Sequence, residues 1–300
     1  MIDIKRFFLG PTVVEVAWEW RANTIRGDVS RYNLISSINT YITPFWKNKR
    51  IKSISEKDVN DFVRFLQNLK NRKSGQLLSQ ATQASEMKHM KAILNYAVKQ
   101  HIIKRNPMKH IRVTIPSDKV NYYTMEQAKV LLQADYPNEY YKRAVWLALC
   151  AGLRRGEVVA LKWSDVDLNN RLLYICRSVN LIKGIRYEKL PKSGKARTGI
   201  INPILYEIIK GGDASNKEYV VPLNPWQITA WFPTFAEKQG IPRLTFHALR
   251  RTFGTLLLQS GVDIKTVSVL LGHSSITVTS KSYIGTSRAR MERAVNALYQ

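Results

Sequence analysis

The chain has 300 residues, with 47 Lys and Arg against 22 Asp and Glu, for a formal net charge of +25. That length exceeds the commonest single-domain size, so two domains are expected, and 45% hydrophobic residues suffice for two modest cores. A charge this positive repels itself unless a polyanion neutralises it, which favours nucleic acid over an anionic membrane as partner.

Residues 12–110 read as all-helical. Val13, Val14, Val16, Ala17 and Trp18 open an amphipathic segment with Trp20, and a second runs from about Val29 to Tyr41, ending before Pro44. Ser55 is an N-cap residue with Glu56 and Asp58 behind it, leading into Val59, Phe62, Val63, Phe65, Leu66 and Leu69 at helical spacing. A basic loop at 71–78 contains Arg72 and Lys73. Ser79 then precedes a long helix whose stripe of Met87, Met90, Ile93, Leu94, Ala97 and Val98 reads as core; Asn106-Pro107 is its expected exit. Residues 111–123 lack helical period and read as a linker.

Thr124-Met125-Glu126-Gln127 is a capping box that opens the second domain. An apolar helix is expected over 140–152, then strands at Leu172–Ile175 and Thr198–Ile201 around a basic turn at 191–196. Helices resume at 203–210, 225–239, 246–260 and 263–271. The expected layout is an N-terminal extension (1–11), a helical domain (12–110), the linker (111–123), an α+β domain (124–285) and a tail helix (286–300). The fold class is mainly α with a small antiparallel β-sheet.

The charge excess is spread rather than confined to a tail: 21 basic and 8 acidic residues over 1–117, then 26 and 14 over 118–300. Both halves should therefore touch one polyanion, as a clamp would. Cys150 and Cys176 lack C-x-x-C spacing and read as reduced core thiols. The apolar runs Phe7-Phe8-Leu9 and Ala144 to Leu153 are too short for a signal peptide or a bilayer span. No membrane association is expected, and the compartment should be reducing and contain DNA.

Four short motifs carry chemistry. Ala151-Gly152-Leu153-Arg154-Arg155-Gly156-Glu157 sets an arginine at the end of an apolar helix, where its planar fork could hold two phosphate oxygens. Taken alone, Arg154 would more readily be read as an exposed helix-end residue. Pro191-Lys192-Ser193-Gly194-Lys195-Ala196-Arg197 is a basic turn. In Thr245-Phe246-His247-Ala248-Leu249-Arg250-Arg251-Thr252-Phe253, His247 and Arg250 are three apart and share a helical face. Leu271-Gly272-His273 is followed ten residues later by Tyr283, which small polar residues flank.

In this order the motifs resemble the tyrosine recombinase (phage integrase) family across the second domain, and the helical first domain resembles that family's core-binding domain. The resemblance implies Tyr283 as nucleophile and Arg154 and Arg250 as phosphate clamps. It makes His247 a general base or phosphate contact, His273 a transition-state hydrogen bonder and Lys192 the general acid, with Lys195 of the same turn as the competing choice. Glu157 is implied as a structural partner of the arginines. Arg155, Lys195, Arg197, Arg251, Arg72, Lys73, Lys88 and Lys91 are the expected DNA contacts.

The implied activity is site-specific recombination through a 3′-phosphotyrosine, without metal, ATP or other cofactor, by the integrase or excisionase of a phage or other mobile element. A Xer-like dimer resolvase, a type IB topoisomerase and an inactive DNA-binding relative are the competing readings. The implied partners are double-stranded DNA with paired core sites, three further copies of the chain in a tetramer, and an accessory excisionase or host DNA-bending protein. The implied location is the prokaryotic cytoplasm or nucleoid. Too few residues precede the first helix for a separate arm-binding domain, so either simple core sites or a lost upstream domain is expected.

Overall fold

The computed structural model describes residues 9–24, 28–71, 74–111, 121–182, 184–191, 194–211 and 218–273. The chain divides into two compact units, residues 1–119 and 120–300.

The first unit is helical: α1 (Val13–Thr24), α2 (Asp28–Ser37), α3 (Thr43–Trp46), α4 (Glu56–Asn68) and α5 (Gln80–Lys99). Ser55 caps α4 in a reciprocal box with Asp58, and Ser79 caps α5 through the Thr82 N–H. Val59, Phe62 and Leu66 of α4 are buried with Met87, Met90, Ile93, Leu94 and Ala97 of α5, so the methionine stripe is core. Each of these side chains other than Ala97 contributes about 1.5–3 kcal/mol when fully buried. The buried Glu86 of α5 accepts a hydrogen bond from Ser37 at the end of α2, whose hydroxyl lies 2.9 Å from His89 Nδ1.

Two boundaries differ from the sequence reading. The second helical segment does not stop ahead of Pro44. Ile38–Ile42 widens into a π turn, with the Thr43 N–H bonded to Ile38 O, and α3 carries on through the proline. The wider turn offsets the ladder where Pro44 has no N–H to donate. Helix α5 ends at Lys99, well before Asn106-Pro107. His101 takes a left-handed φ of 57°, and the Ile102 N–H bonds Ala97 O at 2.9 Å while the His101 N–H bonds Val98 O at 3.0 Å. That is a Schellman ending built without glycine.

The second unit is built on α7 (Glu139–Cys150), preceded by α6 (Met125–Gln133) with its Thr124–Gln127 capping box. Every residue of α7 from Ala144 to Cys150 is buried, against α9 (Pro203–Ile209) and α11 (His247–Gln259) among its neighbours. The short α8 (Arg155–Val158) follows, then β1 (Val166–Asp167), β2 (Leu172–Ile175), β3 (Ser178–Ile182), β4 (Ile185–Lys189) and β5 (Arg197–Ile200). Helices α10 (Pro225–Lys238) and α12 (Ile264–Leu271) complete the described part.

Strands β1, β2 and β5 form an antiparallel sheet in that order, with Leu172 opposite Ile200 and Ile175 opposite Arg197. The β3–β4 hairpin is a second sheet that the sequence reading missed. All five residues of β4 are exposed, so no apolar alternation marks it. Tyr123, at the end of the expected linker, is already core: it is fully buried, its N–H bonds Thr252 Oγ1 at 2.8 Å and its hydroxyl donates to Pro242 O at 3.0 Å.

Cys150 is buried and Cys176 partly so, both as free thiols, and burial pushes the Cys150 thiol up to about 12. No helix among the described residues is long and apolar enough to cross a membrane.

Candidate active site

At the end of α7 the chain turns through Ala151 and Gly152, whose φ is +66°. A Cβ on Gly152 would stand 2.6 Å from Phe253 Cδ1, so both the backbone and the space require glycine. The turn delivers Arg154 to the N-terminal boundary of α8. There Glu157, three residues on, accepts the Arg154 backbone N–H at 2.8 Å and its Nη1 at 2.8 Å. Arg155 points elsewhere and donates to Thr229 Oγ1.

Helix α11 starts at the exposed His247 and buries Ala248, Leu249, Arg250 and Thr252. Arg250 is only 2% exposed. Its Nη1 donates to Gly152 O at 2.5 Å, its Nη2 donates to Leu271 O, and it lies 3.9 Å from the Glu157 carboxylate. Charge and two carbonyls make this burial tolerable. Thr252 and Phe253 of the same motif serve the frame, one holding Tyr123 and the other filling the space beside Gly152.

Helix α12 ends on Gly272 in the left-handed region, φ 60°, and the His273 N–H returns to Ser268 O at 3.0 Å. The cap fixes the point from which His273 leaves the helix. Arg154 Nη2 also reaches Gly272 O, at 3.3 Å.

Arg197 departs from the sequence reading. Expected as a DNA contact, it turns inward at the start of β5: Nη1 and Nη2 bond the two Glu157 oxygens at 2.9 and 2.7 Å, and Nε bonds Leu270 O at 3.2 Å. Its side chain is 8% exposed. With Nε and both Nη atoms bonded, and its charge balanced by a two-pronged pair with one carboxylate, Arg197 makes a poor ligand for a phosphate, unlike Arg250, whose bonded partners are neutral carbonyls. The pairing extends the role implied for Glu157, structural partner of the arginines, to an arginine expected on DNA.

Glu157 is therefore a hub. Burial would raise its pKa, but hydrogen bonding to Arg197 and the charges of Arg197 and Arg154 override this and hold it at about 2. Three guanidinium groups around one carboxylate leave an excess of positive charge, suited to an anion. His273 responds to the same field: burial first, then Arg250, Arg154, Arg197 and His247, lower it to about 4, so its imidazole is neutral near neutral pH. Arg154, the pair His247 and Arg250, and His273, from three separate stretches of sequence, thus meet on one edge of the second unit.

The other expected residues are placed less centrally. Lys195 is exposed and Arg251 partly buried. In the first unit Lys88 is exposed, whereas Lys91 Nζ bonds the carbonyls of Lys109 and Ile111 at 3.1 and 3.2 Å. Arg72, Lys73, Lys192, Tyr283 and the tail helix expected over 286–300 lie outside the described residues.

The phage integrase family model matches residues 121–290, and the phage integrase SAM-like domain model matches residues 18–114. A tyrosine recombinase XerC-like protein of Caldanaerobacter subterraneus subsp. tengcongensis is 27% identical over 248 residues, spanning 70% of this chain but only 63% of its own length. The ICEBs1 integrase of Bacillus subtilis is 23% identical over 267 residues, spanning 82% of this chain and 71% of that protein. Among solved structures, the Tn1549 transposon integrase (its residues 82–397), in complex with circular intermediate DNA, has a TM-score of 0.80 at 19% identity, covering 95% of this chain and 99% of that one. That likeness supports the fold: a helical N-terminal unit and a mainly helical second unit with small antiparallel sheets.

Proposed function

The chain belongs to the phage integrase family, and on that premise we propose that it is a site-specific tyrosine recombinase that cuts and rejoins DNA through a 3′-phosphotyrosine. One observation carries the reading: Arg154 and Arg250 gather at Glu157 with more positive charge than the carboxylate balances, and a neutral His273 stands in the field of the same arginines.

In this reading the Tyr283 phenol oxygen attacks the scissile phosphorus and the bond from phosphorus to the 5′-oxygen breaks. The phenol proton passes to His247, and the leaving 5′-oxygen takes a proton from Lys192, or from Lys195 of the same turn. Arg154 and Arg250 neutralise the non-bridging oxygens as charge builds on them, and His273 donates a hydrogen bond to one of them. A phenol ordinarily titrates near 10, so at neutral pH it needs this help. The phosphodiester energy is kept in the phosphotyrosine. Attack by a second strand's 5′-hydroxyl then reverses the chemistry without ATP.

The partner is duplex DNA bearing paired core sites, and four copies of the chain assemble on it in the prokaryotic cytoplasm or nucleoid. An accessory excisionase or DNA-bending protein sets direction. The ICEBs1 and Tn1549 likenesses support a mobile-element integrase. The Xer likeness supports a second reading, a chromosome or plasmid dimer resolvase.

The test uses two duplexes spanning the junctions that flank the gene, incubated with the protein in excess chelator without nucleotide. Recombinant strands are expected. Cutting that occurs only after magnesium is restored would overturn the mechanism. A shared short core beside a host gene supports the integrase, and a palindrome-like site at the replication terminus supports the resolvase.

A further inference from the structure

Arg197 opens β5, two residues after Lys195 and five after Lys192. Its guanidinium spends both Nη atoms on Glu157 and its Nε on the end of α12, and its side chain is 8% exposed. It touches the two supports on which the other charged groups rest. Glu157 holds the Arg154 backbone and side chain and lies 3.9 Å from Arg250. Leu270 immediately precedes Leu271 and Gly272, whose carbonyls receive Arg250 and Arg154. The fit is tight as well as polar, since a Cβ on Gly272 would stand 2.6 Å from Arg197 Cδ.

We infer that Arg197 is a positioning residue for strand cutting: it ties the strand that leads out of the lysine turn to the Glu157 hub and to the α12 terminus, and so sets Arg154, Arg250 and His273 without touching DNA. With Arg197 in place, both Glu157 oxygens are engaged and the carboxylate has one orientation. Without it, the carboxylate turns toward Arg154 and Arg250 and competes with the phosphate for them. The inference rests on the recombinase reading for its reaction and on the hydrogen bonds alone for its geometry.

Arg197→Ala and Arg197→Lys are compared with wild type. On a generic duplex, the dependence of binding on salt is expected to be unchanged; a slope smaller by about 0.9, the value for one lost phosphate contact, would overturn the inference. On a nicked half-site duplex from the flanking DNA, covalent adduct formation by Arg197→Ala should fall about a hundredfold, as for a reacting group displaced by about 1 Å. Lysine should not restore it, because one ammonium cannot bridge both oxygens. Ethylguanidinium in solution should restore Arg197→Ala toward wild type.

Adduct formation by both variants at the wild-type rate would also overturn the inference. Should Arg197→Ala fail to fold, the slow cutting of Arg197→Lys with an unaltered salt slope supports it, and wild-type cutting by that variant overturns it. A wild-type chain that forms no adduct counts against the recombinase reading, while the salt slope still decides whether Arg197 contacts DNA.

Discussion

Arg250 and Gly152, 98 positions apart, are joined by a 2.5 Å hydrogen bond from Nη1 to the glycine carbonyl. The bond fixes one arginine to the turn that delivers the other, since Arg154 lies two residues beyond Gly152. Any displacement of that turn moves both.

Gly152→Ala is therefore expected to unfold at lower temperature. The left-handed backbone costs about 1–2 kcal/mol for a side-chain-bearing residue, and a Cβ 2.6 Å from Phe253 adds about 1–3 kcal/mol of overpacking. Thermal unfolding checks it, and an unchanged midpoint would contradict both the strained turn and the close contact with Phe253.

Glu157→Gln keeps the shape of the hub and removes its charge. The carboxyl is held at about 2 against an ordinary 4.5, which corresponds to about 3 kcal/mol. Because the folded pKa is depressed, this stability is present above about 4.5 and is lost as pH falls toward 2. Urea unfolding should show the variant less stable at neutral pH, with the gap to wild type narrowing through that window. A gap independent of pH would contradict the assignment.

Much of this frame is legible in sequence because its signals are local. Ser55, Ser79, Thr124, Asn224 and Asp263 cap their helices with the side chains expected of N-caps. The shared face of His247 and Arg250 likewise follows from their spacing of three along a helix. What escapes is non-local or disguised. The end of α5 uses His101 where a glycine would announce itself, and β4 has no buried face to alternate with. Arg197 sits in a basic turn and looks like its neighbours. Only the fold, which brings β5 to α8 and the end of α12, turns it inward.

Arg154→Ala and Arg250→Ala should each slow strand cutting at least about a hundredfold, the cost of removing one donor to developing charge. They should differ in stability. Arg250 is buried and holds two carbonyls, each costing about 1–3 kcal/mol when left unsatisfied. Arg154 is more exposed, so its variant should melt closer to wild type. Equal melting of the two would contradict this division.

His273 should titrate with a midpoint of about 4 in the free protein, below the ordinary 6.5, because burial and the surrounding arginines disfavour its charged form. Its contribution to stability is therefore complete above about 6.5 and is lost as pH falls toward 4. A phosphate placed among the arginines offsets their charge and should raise the midpoint. Histidine ring NMR with and without duplex DNA measures both, and a free midpoint near 6.5 would contradict the described surroundings.

In the proposed mechanism Tyr283 carries the DNA strand. A nicked suicide duplex, from which the short leaving strand diffuses away, is incubated with the chain, digested, and mapped by mass spectrometry. A nucleotide mass on the peptide containing Tyr283, absent from Tyr283→Phe although that variant binds the duplex equally well, is the predicted result. An adduct on another residue, or one formed at wild-type level by Tyr283→Phe, would contradict it.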